Sequence, residues 1–136
     1  MAETYSNEQA TINSGNKVDS VLFNGRVRLR RSTITMAAQA INDTIVLCDG
    51  KRGEVFVYGV ITISGSAGSS TIEIGTSDDT DKYRAASTKT STAPELFGKV
   101  ASQVQLTADE KIIATIKAAA LPASGTLTID MFFSTV

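Results

Sequence analysis

The chain has 136 residues, 13 Lys and Arg against 14 Asp and Glu, one Cys, no His and no Trp. That length suits one domain with its own core, and the near-zero charge argues against a protein built to coat nucleic acid. Without histidine there is no Ser-His-Asp triad, no imidazole base and no imidazole-ligated metal, and one Cys allows no internal disulfide.

Residues 1–16 are polar and show no period. They read as a flexible N-terminal arm, either a terminus without fixed structure or a segment that orders against a neighbour. They contain no apolar run, so no signal peptide is expected. No stretch reaches the ~18 apolar residues of a membrane span. Residues 17–136 read as a single β-sandwich domain.

"SVLFNGRVRLRRSTITM" holds Asn24-Gly25, a turn signal between apolar runs. After it Arg26, Arg28 and Arg30 alternate with Val27 and Leu29, which puts arginines on one face of a strand and apolar residues on the other. Arg31 breaks the alternation, marking a bulge or the shift into "STITM". Strands follow in "TIVLCDG", "EVFVYGVITIS" and "TIEIGT", separated by Gly-rich turns. Gly59 reads as a bulge or a close-approach point. Ile72 and Ile74 share one face of their strand, Thr71 and Glu73 the other. Residues 78–94 read as a long polar connection. "ELFGKVASQVQLT" holds a short strand or helical turn and then another strand. "KIIATIK" suits a strand while the alanines after it suit a helix. "TLTIDMFFSTV" is a final strand with Leu127, Ile129 and Met131 on one face. Many short strands between turn residues, with weak helical period, indicate an all-β fold: an antiparallel β-sandwich, jelly roll or barrel.

Few residues suggest chemistry. Asp78, Asp79 and Asp81 crowd together after a strand, but an EF-hand register from Asp78 puts Tyr83 and Lys89 where Gly and Glu belong. The alternative is a solvated loop whose charge Lys82 and Arg84 offset. No metal or other cofactor is expected. Arg26, Arg28, Arg30 and Arg31 form either a solvated face or a surface for an acidic protein partner. Nucleic acid fits poorly, since no aromatic sits among them for base stacking. Phe132 and Phe133 are adjacent in a strand, so one leaves the core face and is available to a subunit interface. Glu73 and Asp130 are the carboxylates with most chance of facing one another as a catalytic pair, yet no nucleophile, phosphate-loop or zinc motif occurs, and the chain is expected not to be an enzyme. Cys48, in an apolar run, reads as a small buried residue.

Four stretches in order, "AAQAINDTIVLCDG", "GEVFVYGVITISGSAGSSTIEIGTSDDTDKYRAAST", "PELFGKVA" and "LTADEKIIATIKAAALPASGTLTIDMFF", span residues 33–133 in outline. Together they resemble small structural proteins of tailed bacteriophages. The resemblance implies a virion component made in the host cytoplasm, of the capsid decoration or cement type. It implies a compact, jelly-roll-like β fold, a homotrimer, and the major capsid protein as partner on the outer capsid surface. A neck, tail or fibre-associated protein is the alternative within the virion. A carbohydrate-binding β module is the alternative outside it, and would need aromatics on an exposed face. The resemblance supplies no binding residues, so Arg26, Arg28, Arg30, Arg31, Phe132 and Phe133 stand as interface candidates on physical grounds alone.

Overall fold

The computed structural model describes residues 4, 7–16, 26–98 and 104–135. After the helix α1 (Asn7–Asn13) come β1 (Arg26–Thr35), β2 (Thr44–Gly50), β3 (Val55–Ile63), β4 (Thr71–Gly75), β5 (Arg84–Thr88), β6 (Glu95–Phe97), β7 (Glu110–Lys117) and β8 (Thr126–Thr135). They build two four-stranded sheets, ordered β1-β8-β3-β6 and β2-β7-β4-β5. Every pairing is antiparallel. First strand pairs with last, second with seventh, third with sixth and fourth with fifth, as in one long ribbon folded at its middle. Two further pairings, β8 with β3 and β7 with β4, roll that ribbon into a sandwich. This is an eight-stranded jelly roll.

The core follows from period-two alternation. Residues directly opposite in an antiparallel ladder share a face. Leu127, Ile129, Met131 and Phe133 of β8 point inward, with Phe56, Ile61 and Ile63 of β3 beside them. Ile72 and Ile74 of β4 meet them from the other sheet with Ile112, Ala114 and Ile116 of β7, all five at 0% exposure. Each large apolar side chain buried this way contributes roughly 1.5–3 kcal/mol. Phe56 is the aromatic centre, edge-on to Tyr83 at 4.8 Å and to Phe133 at 5.5 Å. The alanines after "KIIATIK" do not extend a helix. Ala118 takes a φ of 65°, outside both helix and strand, and ends β7.

Several expectations are corrected. Arg31 marks no bulge, because β1 and β8 pair in unbroken register over ten positions. The bulge in β3 lies between Phe56 and Tyr58. Gly59 is instead the close-approach point, since a Cβ there would fall 2.2 Å from the Phe97 ring. Residues 78–94 are not one connection: they contain β5, whose Arg84 is buried. Residues 1–16, without period in the sequence, include α1. The Asn24-Gly25 turn lies outside the described residues.

Candidate interaction surface

The register of β1 against β8 sorts the arginines. Arg26, Arg28 and Arg30 stand opposite Thr135, Phe133 and Met131, on the side of the sheet that faces the core. Val27, Leu29 and Arg31 stand opposite Ser134, Phe132 and Asp130, on the outer side. The first four residues of β1 are exposed whichever way they point, so this end of the edge strand overhangs the opposite sheet. Arg30 tucks under it. Its guanidinium lies 4.4 Å from the Phe133 ring centroid, a cation–π contact, and it donates to Glu54 at 2.5 Å. Arg31 grips Asp130 with two hydrogen bonds, at 2.9 and 3.0 Å, across the outer face. That hydrogen bond raises the Arg31 pKa further above its ordinary value. The four arginines therefore do not act as one row. Arg26 and Arg28 are exposed, Arg30 is held from inside, and Arg31 lies on the opposite face.

The adjacent phenylalanines split. Phe133 is fully buried, while Phe132 lies half-buried on the outer face and stacks on Tyr58 with centroids 4.6 Å apart and planes 16° from parallel. The β3 bulge makes this possible. Were Val57 paired in a regular ladder instead of bulged, Tyr58 would share the inward face of Phe56. With it, Tyr58 pairs Phe132 while Phe56 pairs Phe133. The outer face of the β1-β8-β3-β6 sheet thus carries Val27 (54% exposed), Leu29 (48%), Tyr58 (40%) and Leu96 (65%) beside Phe132. Sequence reasoning singled out Phe132 and missed Tyr58 and Leu96. Val27 and Leu29 form one apolar strand face, and that face is the solvent-facing one.

The three aspartates lie in the 76–83 connection, all exposed. The turn is tight. Thr76 N and Lys82 N both donate to Asp79 O, at 2.9 and 3.2 Å. Gly75 packs against it so closely that a Cβ would meet Asp79 O at 2.2 Å. A side-chain hydrogen bond in which the Asp79 carboxyl donates to the Asp81 carboxylate raises the Asp79 pKa. Among the described residues no three acidic, thiol or imidazole side chains converge to hold a metal ion. Of the cations expected to offset these aspartates, Lys82 acts on Asp79 through space while hydrogen-bonding elsewhere, and Arg84 is turned inward. Lys82 Nζ bonds both Glu110 carboxylate oxygens, at 2.8 and 3.0 Å. Arg84 is buried, donating to the carbonyls of Ile72, Ser87 and Thr88 and to Glu95. A cavity of about 650 Å³ opens between this turn and residues 104–111. Tyr83 and Glu110 both line it, and Tyr83 Oη donates to Glu110. Burial, then Glu110, push the Tyr83 pKa far above its usual range. The Tyr83 phenol therefore keeps its proton and serves as a structural donor.

Glu73 and Asp130 do not form a pair. Glu73 projects from the outer side of the β2-β7-β4-β5 sheet, offset by one from inward Ile72 and Ile74, with Lys117 Nζ 3.9 Å away. Asp130 projects from the outer side of the other sheet, so the whole sandwich separates the two. Cys48 is half-buried, and desolvation pushes its pKa up to about 11. Among the described residues no helix is long and apolar enough to cross a membrane.

No protein-family model matches the sequence, and a search of curated proteins finds no match. Solved structures do resemble it. A chain of the Cyanophage Pam1 capsid asymmetric unit is similar with a TM-score of 0.68 and 14% identity, over 84% of this chain and 88% of that one. A chain of the capsid of Ralstonia phage GP4 gives 0.65 and 20%, over 82% and 86%. A chain of the acid-stable capsid of Helicobacter pylori bacteriophage KHP30 gives 0.60 and 11%, over 80% and 87%. At these identities the likeness is one of fold: the jelly roll here is shared, over four fifths or more of each chain, with components of three phage capsids.

Proposed function

We propose that this protein is a structural component of a bacteriophage virion, and within the virion a capsid decoration (cement) protein. The observation that carries this reading is the near full-length match of fold to chains of three phage capsids. The surface supports it. A cement protein needs a rigid body and contact faces rather than reacting groups. The jelly roll supplies the body, and the exposed apolar sheet face with the nearby Arg26 and Arg28 supplies the contacts. In this role the chain associates with itself, as a trimer where capsomers meet, and binds the major capsid protein on the outer surface.

The carbohydrate-binding alternative gains little from the exposed Tyr58 and Phe132. Sugars stack on ring faces, and these two rings each cover a face of the other.

Quantitative mass spectrometry of purified virions tests the proposal. Copy number close to that of the major capsid protein is the expected result. A handful of copies per particle would move the protein to the neck, tail or a single vertex. Absence from the particle would overturn the virion reading.

A further inference from the structure

We infer that the outer face of the β1-β8-β3-β6 sheet is covered by a second copy of this chain, packed face against face. The inference rests on the self-association proposed above, but it gives the isolated protein a two-fold pairing of faces, distinct from the threefold contact proposed on the capsid, and it is measured in the isolated protein. It can fail while the virion reading holds, and the reverse.

Shape comes first. Leu29, Phe132 and Tyr58 lie in one register line across three neighbouring strands, and Leu96 of β6 continues the patch at the far edge. The apolar band therefore crosses the full width of the sheet instead of forming a pocket. At ~4.8 Å between strands and ~3.4 Å per residue, strands of 10, 10, 9 and 3 residues present a face of roughly 520 Å². A standard specific interface takes about 800 Å² from each partner. A second sheet of the same size fills such a face, and two sheets pack face to face at a spacing of ~10 Å. A single extended segment would leave most of the band wet.

Charge selects the partner. The outer-facing residues of β1, β8, β3 and β6 include one cation and one anion, Arg31 and Asp130, and these are already bonded to each other. The face is neutral. Two identical faces meet without like-charge repulsion, and neither an acidic nor a basic partner is favoured by it. Between the apolar band and the far end, Thr33, Thr128 and Thr62 line up across β1, β8 and β3. Hydroxyls both donate and accept, so a row of them is complementary to its own copy. The exposed Arg26 and Arg28 lie on the other side of β1, and Asp78, Asp79 and Asp81 in a loop at the end of the sandwich, free for a different partner.

The test is the solution mass of the purified full-length protein by light scattering across a dilution series, for the wild type and three variants. Leu29→Glu and Leu96→Glu place a carboxylate in the band at exposed positions. Val46→Glu does the same on the outer side of the opposite sheet, where Val46 is 59% exposed. The expected result is an oligomeric wild type, folded monomers for Leu29→Glu and Leu96→Glu, and wild-type mass for Val46→Glu. Hydrogen–deuterium exchange of the unmodified protein gives a second reading that needs no variant. Residues 26–35 and 95–97 should exchange more slowly as concentration rises, and residues 44–50 and 84–88 should not change. A monomeric wild type, wild-type mass in both band variants, dissociation by Val46→Glu, or exchange independent of concentration would each overturn the inference.

Discussion

Val57 decides which aromatic side chains the outer face receives. It is the one residue of β3 without a partner on β8, and it resets the alternation between Phe56 and Tyr58. Deleting Val57 would leave Phe56 and Tyr58 on consecutive ladder positions opposite Phe133 and Phe132, so the bulge is lost while both rings keep their faces. Gly59, two residues on, has the Phe97 ring where a side chain would begin. Gly59→Ala should destabilise by about 1–3 kcal/mol through overpacking, read as a lower midpoint with unchanged slope. Cys48 offers a titration. Its folded pKa of about 11 lies above its ordinary 9.0. The folded state holds the thiol proton more tightly than the unfolded chain, so the stabilisation is complete below pH 9 and is lost as pH rises to 11. The stability difference between wild type and Cys48→Ala should shrink across that window in parallel denaturation series.

Elements differ in how plainly the sequence announced them. Strands β4, β7 and β8 were legible because their inward residues are apolar and their outward ones polar over most of their length. β5 was not, because "RAAST" has no apolar alternation. It holds its place through backbone pairing with β4 and through buried Arg84, whose donors satisfy three carbonyls. A seven-residue helix such as α1 is too short to display a period. In β1 the alternation was correct, but the rule that apolar residues face inward fails there: the strand overhangs, and the inward side suits an arginine lying on Phe133. The doubled phenylalanine announced that one ring leaves the core. Which one leaves depends on a register no single strand contains. The 89–94 connection depends on Lys89, 2% exposed, whose Nζ donates to the carbonyls of Ser91 and Ala93 at 2.5 and 2.6 Å. Lys89→Met keeps the bulk and removes the donor. It should cost about 1–3 kcal/mol, and amide exchange in 89–94 should accelerate.

At the scale of the whole molecule, the jelly roll rests on pairings between the most distant parts of the chain. β8 lies between β1 and β3, so it contributes to both ladders and to the middle of the core. A chain ending at residue 125 should show no cooperative thermal transition, since β1 is left without its ladder and Ile34 and Phe56 lose their neighbours on β8. Circular dichroism melting checks this directly. The same non-local pairing predicts refolding on a millisecond-to-second timescale, measurable by stopped-flow dilution from urea. The order of motifs along the sequence led to a jelly-roll-like sandwich, and the strand order confirms that architecture. The pairing of first with last strand is set by geometry between segments some hundred positions apart, and no local pattern encodes it.

That pairing also fixes where anything attached to the protein would emerge. The chain enters β1 at Arg26 and leaves β8 at Thr135, and these two residues are direct partners. A peptide or domain fused after residue 136 would thus start from the same corner of the body as the segment that precedes β1. Among the described residues, the opposite end of the sandwich is formed by the loops 36–43, 64–70, 89–94 and 118–125. As a display scaffold the protein has one corner that takes cargo and one end that can rest against a support.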